Sequence, residues 1–176
     1  LSQAAMRAAD DDMQGKVSIV SGNGTSLPFK DRSFDRISHS DVLCCLPEKL
    51  ELLQESRRVA VDGARMHFSV ILPAPGLTPT GYQQVLDSGP PFIGVDGDYV
   101  QLLREAGWQV LDCDDVSDEY QKSLQRLVDG TYQYESELQN LLGMDDLKAK
   151  RQHREDQIEL VSNGSMKREA YVVVAT

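Results

Sequence analysis

Three consecutive stretches decide the fold: SFDRISH at residues 33–39, PEKLELLQESRRVAVDG at 47–63 and ARMHFSVIL at 64–72. The first is a short strand candidate. In the second, Leu50, Leu52, Leu53 and Val59 recur at near-helical spacing among charged residues, so a helix over Glu48 to Val59 is expected to lay one apolar face on a sheet. Pro47 suits its first turn and Asp62-Gly63 its stop. The third stretch is mostly apolar with Pro73 behind it, as in an interior parallel strand. Strand, helix and strand make one βαβ unit, and the chain is read outward from it.

Upstream, the Ala-, Met-, Arg- and Gln-rich residues Leu1 to Met13 favour a short helix that Gln14-Gly15 breaks. Lys16-Val17-Ser18-Ile19-Val20 alternates like a strand, and Ser21-Gly22-Asn23-Gly24 supplies a turn. Downstream, residues 73–97 hold five prolines and five glycines, a loop-rich connection around a short helix near Tyr82 to Leu86. Asp98 to Ala106 reads as a helix stopped by Gly107, with a strand beginning at Trp108 to Leu111. Ser117 to Leu142 is a long helical stretch with Ser117 as N-cap and a kink expected at Gly130, and a second helix spans Asp145 to Val161. Arg168 to Ala175 closes the chain with the strongest β signal. The pattern is an alternating α/β layer structure with a helical pair before the last strand, and 1–176 is read as a single domain.

Composition narrows the function. Eighteen basic and twenty-eight acidic residues give a net charge of -10, which repels a phosphate backbone and makes nucleic acid a poor partner. No apolar run approaches the ~20 residues that cross a bilayer, and the first residues do not form a signal peptide, so a cytoplasmic protein away from membranes is expected. Cys44, Cys45 and Cys113 show neither CxxC spacing nor an even count, so reduced thiols are expected and no metal site. The chain opens on Leu1, and a natural start upstream is expected.

The stretch GNGTSLPFKDRSFD at 22–35 resembles the G-D-A-x-x-L-P-F-x-D-x-S-F-D signature of class I S-adenosylmethionine-dependent methyltransferases. Asp41-Val42-Leu43 with Leu46-Pro47 looks like that family's segment at the cofactor mouth. Arg57-Arg58-Val59 with Asp62-Gly63-Ala64 resembles its R-V-L-x-P-G-G turn, and Leu103-Arg104-Glu105-Ala106-Gly107-Trp108 is similar to its L-x-x-A-G-F element. Each piece alone is weak; their order and spacing over residues 1–116 make the case.

The resemblance implies a Rossmann-like sheet of strand order 3-2-1-4-5-7-6, with S-adenosylmethionine as cofactor and a small molecule as methyl acceptor. It places Asn23 opposite the adenine amino group, the Gly24 N–H near an adenine nitrogen, and Leu27 and Phe29 in the adenine pocket wall. Ser40 and Asp41 would line the methionine end, where open sheets bind their ligands. Methyl transfer asks little acid-base chemistry, because the leaving thioether is neutral. His39 is the one candidate general base, and its place at a strand end equally suits a half-buried structural residue.

Two departures follow. The family's first two strands and the E/D-x-G-x-G-x-G loop between them have no counterpart, a shortfall of ~40 to 60 residues; Leu1-Ser2 resembles the residues that follow the second strand's acid. The sheet is then incomplete between the strands at Val17 and Ile37. Either those residues are left out of this chain, or the third strand moves inward against the fourth, or a second chain fills the space; exposed edges of this kind promote homo-oligomers.

A helical cap over 117–161 resembles that of small-amine methyltransferases. Tyr120, Tyr132 and Tyr134 would form an aromatic cage for a cationic amine or, more commonly, anchor the helix to the sheet. The alternative to the enzyme is a degenerate, non-catalytic methyltransferase-like binding or scaffold domain. A dinucleotide-dependent oxidoreductase is disfavoured because Gly22-Asn23-Gly24 lacks a third glycine and a following helix.

Overall fold

The computed structural model describes residues 2–11, 13, 15–95 and 97–176. The readings placed on Leu1 and Gln14 lie outside the described residues. The elements are α1 (Ser2–Asp10), β1 (Phe34–Ser40), a 3-10 turn (Leu43–Cys45), α2 (Lys49–Val59), β2 (Ala60–Pro73), α3 (Pro79–Ser88) and α4 (Tyr99–Glu105). They continue with β3 (Trp108–Asp115), α5 (Ser117–Gln133), α6 (Glu135–Leu142), α7 (Met144–Ser162) and β4 (Met166–Ala175).

The four strands form one sheet of order β1-β2-β4-β3. β1 and β2 are parallel, joined through α2 as the expected βαβ unit, and β4 inserts antiparallel between β2 and β3. This is the 4-5-7-6 half of the order implied by the resemblance. The architecture is Rossmann-like, with α5, α6 and α7 between β3 and the last strand.

Alternation across the strands decides where the core lies. Phe68 of β2 and Tyr171, Val173 and Ala175 of β4 are buried on one face. α2 and α4 cover that face: Trp108, at the start of β3, is buried and donates its indole N–H to the Leu53 carbonyl of α2 at 3.0 Å. Tyr99 of α4 meets Tyr171 at 6.1 Å between ring centroids. On the other face Arg36, Ser38, Arg65 and His67 are exposed. β2 is therefore interior in the sheet but buried on both faces only from Phe68 to Ile71.

Several local expectations are corrected. Residues 16–21 form no strand, and Val17 and Val20 are exposed. An isolated extended segment gains nothing without a ladder partner, and among the described residues the outer edge of β1 is unpaired. The inward move of the third strand against the fourth is thus not seen. α2 ends at Val59 as expected, but Asp62-Gly63 is not what stops it. That pair sits inside β2 at a register shift, where Gly63 takes φ +77 and Asp62 receives hydrogen bonds from Arg32 and Arg57. Gly63 supplies the left-handed backbone a bulge needs.

The helical break falls at Tyr134, not Gly130, which stays within α5. Arg151 of α7 binds the Thr131 hydroxyl and carbonyl and Glu135, tying the junction down. Ser117 is the first helical residue and not the cap. Its hydroxyl donates to Asp115 and accepts from the Arg168 N–H, which anchors α5 to β4.

Candidate functional site

β1 and β2 both run toward the edge of the sheet where α5 begins. Ser40 ends β1, pairs with Ser69 of β2, and is followed by Asp41 in left-handed backbone at φ 55. Aspartate tolerates that conformation better than most side chains. The turn carries the chain off the sheet and leaves the Asp41 carboxylate beside the strand ends. Arg168 of β4 reaches it with two nitrogens, Nε to Oδ1 at 3.0 Å and Nη2 to Oδ2 at 2.9 Å. The same Nη2 donates to the Ser40 and Ser69 hydroxyls at 2.9 Å each. Ser69 also donates to Asp41 Oδ1 at 3.1 Å. The Tyr120 ring of α5 lies 5.7 Å from the Arg168 guanidinium carbon.

This corner is a closed set of charge-assisted bonds, half-buried, and it fixes the geometry of the Ser40-Asp41 turn. Sequence reasoning missed Arg168 as part of it, because the residue is 127 positions from Asp41 and only the β2–β4 pairing brings them together. Arg168→Ala is expected to cost about 2 kcal/mol, between the small worth of exposed pairs and the larger loss on breaking buried ones. Urea denaturation reads this directly, and a loss under about 0.5 kcal/mol would mean the corner does not depend on the arginine.

The loop carrying Asn23 and Gly24 is pinned to α2. A Cβ on Gly24 would stand 2.9 Å from Leu52 Cδ1, so a larger residue there would displace the end of that side chain. The Asn23 side chain is exposed and accepts from the Thr25 N–H, which leaves its amide donors and one carbonyl lone pair for a ligand. Leu27 and Phe29 follow along the same helix. The Leu27 N–H donates to Glu55, the Leu27 and Phe29 carbonyls accept from Arg58, and the Phe29 ring meets Phe34 edge-on at 5.0 Å. Phe34 opens β1 and Ser40 closes it, about 20 Å apart along an extended strand. The structure therefore brings Ser40 and Asp41 together, sets Gly24 beside Leu52 of α2 and Leu27 beside Glu55 one turn along the same helix, and packs Phe29 on Phe34 at the start of β1.

His39 belongs to the buried face. Its ring stacks on Phe68 at 5.0 Å, and Phe68 stacks on Tyr171 at 5.1 Å. Both ring nitrogens are buried without a hydrogen-bond partner among the described residues. Burial holds its pKa down to about 4, against the upward pull of the Asp41 carboxylate and with a smaller downward push from His67. The imidazole is neutral at physiological pH and a weak base.

His67 is exposed on the open face, and Cys44 is buried beneath the corner with its Sγ 3.2 Å from the Asp41 carbonyl. The three expected cage tyrosines do not converge: Tyr120 faces Arg168, the Tyr132 ring lies 3.6 Å from the Arg151 guanidinium carbon, and Tyr134 is exposed. Among the described residues no group of His, Cys, Asp and Glu side chains could hold a metal ion, and no helix is long and apolar enough to cross a membrane.

A family model described as "Methyltransferase domain" matches residues 1–68. The 27-O-demethylrifamycin SV methyltransferase of Amycolatopsis mediterranei (strain S699) is 26% identical over 121 residues, which are 66% of this chain and 44% of that protein. A putative sarcosine dimethylglycine methyltransferase from Galdieria sulphuraria superposes with a TM-score of 0.87 at 19% identity, covering 97% of this chain and 63% of that one. The [4+2]-cyclase SpnF superposes with a TM-score of 0.78 at 17% identity, covering 98% and 60%. The chain thus spans under two thirds of the length of each of these relatives.

Proposed function

We propose that the chain is a class I S-adenosylmethionine-dependent methyltransferase, as the family model over residues 1–68 and the similar proteins and structures support, and that it serves methyl transfer from S-adenosylmethionine to a small-molecule amine. The observation that carries this reading is the Ser40-Asp41 turn, left-handed at Asp41 and held by Arg168 at the ends of the parallel pair. That is the end of an open sheet where ligands bind.

The residues present fit the cofactor's two polar ends. Asn23 and the Gly24 N–H would meet the adenine edge, and the Ser40 hydroxyl and Asp41 carboxylate the methionine end. Leu27 and Phe29, tied to α2 through their backbone, would line the adenine pocket. When bound, the cofactor supplies a methyl group on a sulfonium whose departure leaves a neutral thioether. What the chain contributes is positioning: a rigid corner and a pinned loop that hold the two ends apart at fixed separation. Arg168 acts through Asp41 as a positioning residue. His39 serves as a packing ring and not as a base, which a reaction with a neutral leaving group permits. An amine acceptor loses its own proton to solvent.

The fold alone admits more than one chemistry, so the test follows the methyl group. With methyl-labelled S-adenosylmethionine and a panel of primary, secondary and tertiary amines, label is expected on nitrogen with S-adenosylhomocysteine released in equal amount. Label on oxygen or carbon acceptors alone, or no transfer, would contradict the reading.

A further inference from the structure

A cavity of about 600 Å³ opens between β4, α4 and the proline-rich connection at 73–79, within the size range of small-molecule sites. It lies on the buried face with Tyr171, opposite the Arg168 face of the same strand, so it is distinct from the Ser40-Asp41 corner. Its walls are largely apolar, Leu77 and Val95 among them, and its polar features are the carboxylates of Glu169 and Asp98 and the hydroxyls of Tyr82, Tyr99 and Tyr171. Glu169 lines the cavity and accepts a 2.5 Å hydrogen bond from the Tyr171 hydroxyl. Tyr99, which also lines it, is 1% exposed and its hydroxyl has no hydrogen-bond partner among the described residues. Tyr82 stands at the wall with its ring partly open to solvent.

An orphaned buried phenol is costly unless something pairs with it. Three aromatic rings and two carboxylates, Glu169 and Asp98, around an apolar space form the environment that attracts a weakly hydrated cation. A neutral apolar ligand would leave the Tyr99 hydroxyl unanswered, and an anion would be repelled by Glu169 and Asp98. We propose that this cavity is a binding site for an organic cation with an apolar body, its ammonium group against Glu169, Tyr99 and Tyr82. Of the tyrosines sought as a cage in the sequence, Tyr120 and Tyr132 meet the chain's own arginines.

The site stands independently of the methyl-transfer reading, because its test needs neither cofactor nor turnover. Benzyltrimethylammonium is titrated into the full chain, in parallel with its uncharged isostere neopentylbenzene, and binding is followed by ligand-observed NMR. The cation is expected to bind at least tenfold more tightly than the isostere. Glu169→Gln is expected to weaken the cation at least tenfold and Tyr82→Ala severalfold, with little effect on the isostere. Tyr82 is a wall residue exposed enough to truncate without opening the core, so its variant reports even if Glu169→Gln misfolds. Equal binding of cation and isostere, or a cation affinity untouched by Tyr82→Ala in folded protein, would overturn the proposal.

Discussion

Trp108→Ala is expected to destabilise the fold by about 4 kcal/mol, the cost of emptying a large, fully packed aromatic site. Trp108 is 2% exposed, opens β3 directly after the Gly107 turn, and bonds to the Leu53 carbonyl on α2. It thereby joins the last parallel strand to the helix of the βαβ unit. Trp108→Phe retains most of the ring contact and removes the donor, so about 1 to 2 kcal/mol is expected. Urea denaturation separates the two; losses of similar size in both variants would mean that the hydrogen bond, and not the packing, holds this junction.

His39→Phe is expected to change how stability depends on pH. The folded pKa of about 4 lies below the unfolded value of 6.5. As pH falls below 6.5 the unfolded chain takes up a proton that the folded chain refuses, so stability drops until pH passes the folded pKa. The full loss is about 3 kcal/mol at pH 4. Phenylalanine keeps the stack on Phe68 and removes both unpartnered nitrogens. The stability advantage of His39→Phe over the parent chain should therefore widen by up to about 3 kcal/mol between pH 7 and pH 4. Parallel profiles would show that His39 finds a partner on protonation and is not the buried neutral ring described here.

The element types were legible because periodicity and turn chemistry are local. The α2 face, the Gly107 stop and the β-branched run of β4 each announce themselves within a dozen residues. The misreadings share a cause. Residues 16–21 have a strand's alternation, but a strand is stable only on a partner, and alternation says nothing about whether one is there. Asp62-Gly63 reads as a helix stop, yet the same left-handed glycine serves a bulge once β1 and β2 pair.

In the candidate site, Ser40 and Asp41 were legible as neighbours because they stand at a strand end. Leu27 and Phe29 were assigned to the cofactor from motif position; their backbone ties to Glu55 and Arg58 of α2, 28 and 29 residues on, were not legible in the sequence. Arg168 and the Tyr99–Glu169–Tyr171 group were invisible in the sequence, since the first needs the β2–β4 register and the second needs α4 laid across β4.

The central claim is that residues 22–24 and the Ser40-Asp41 corner hold S-adenosylmethionine. Calorimetric titration of the 176-residue chain with the cofactor, beside an Asp41→Ala variant checked for folding, tests it most directly. Saturable micromolar binding by the parent, weakened at least tenfold in the variant, is the predicted result. Binding only at millimolar concentration, or equal binding by both, would contradict it.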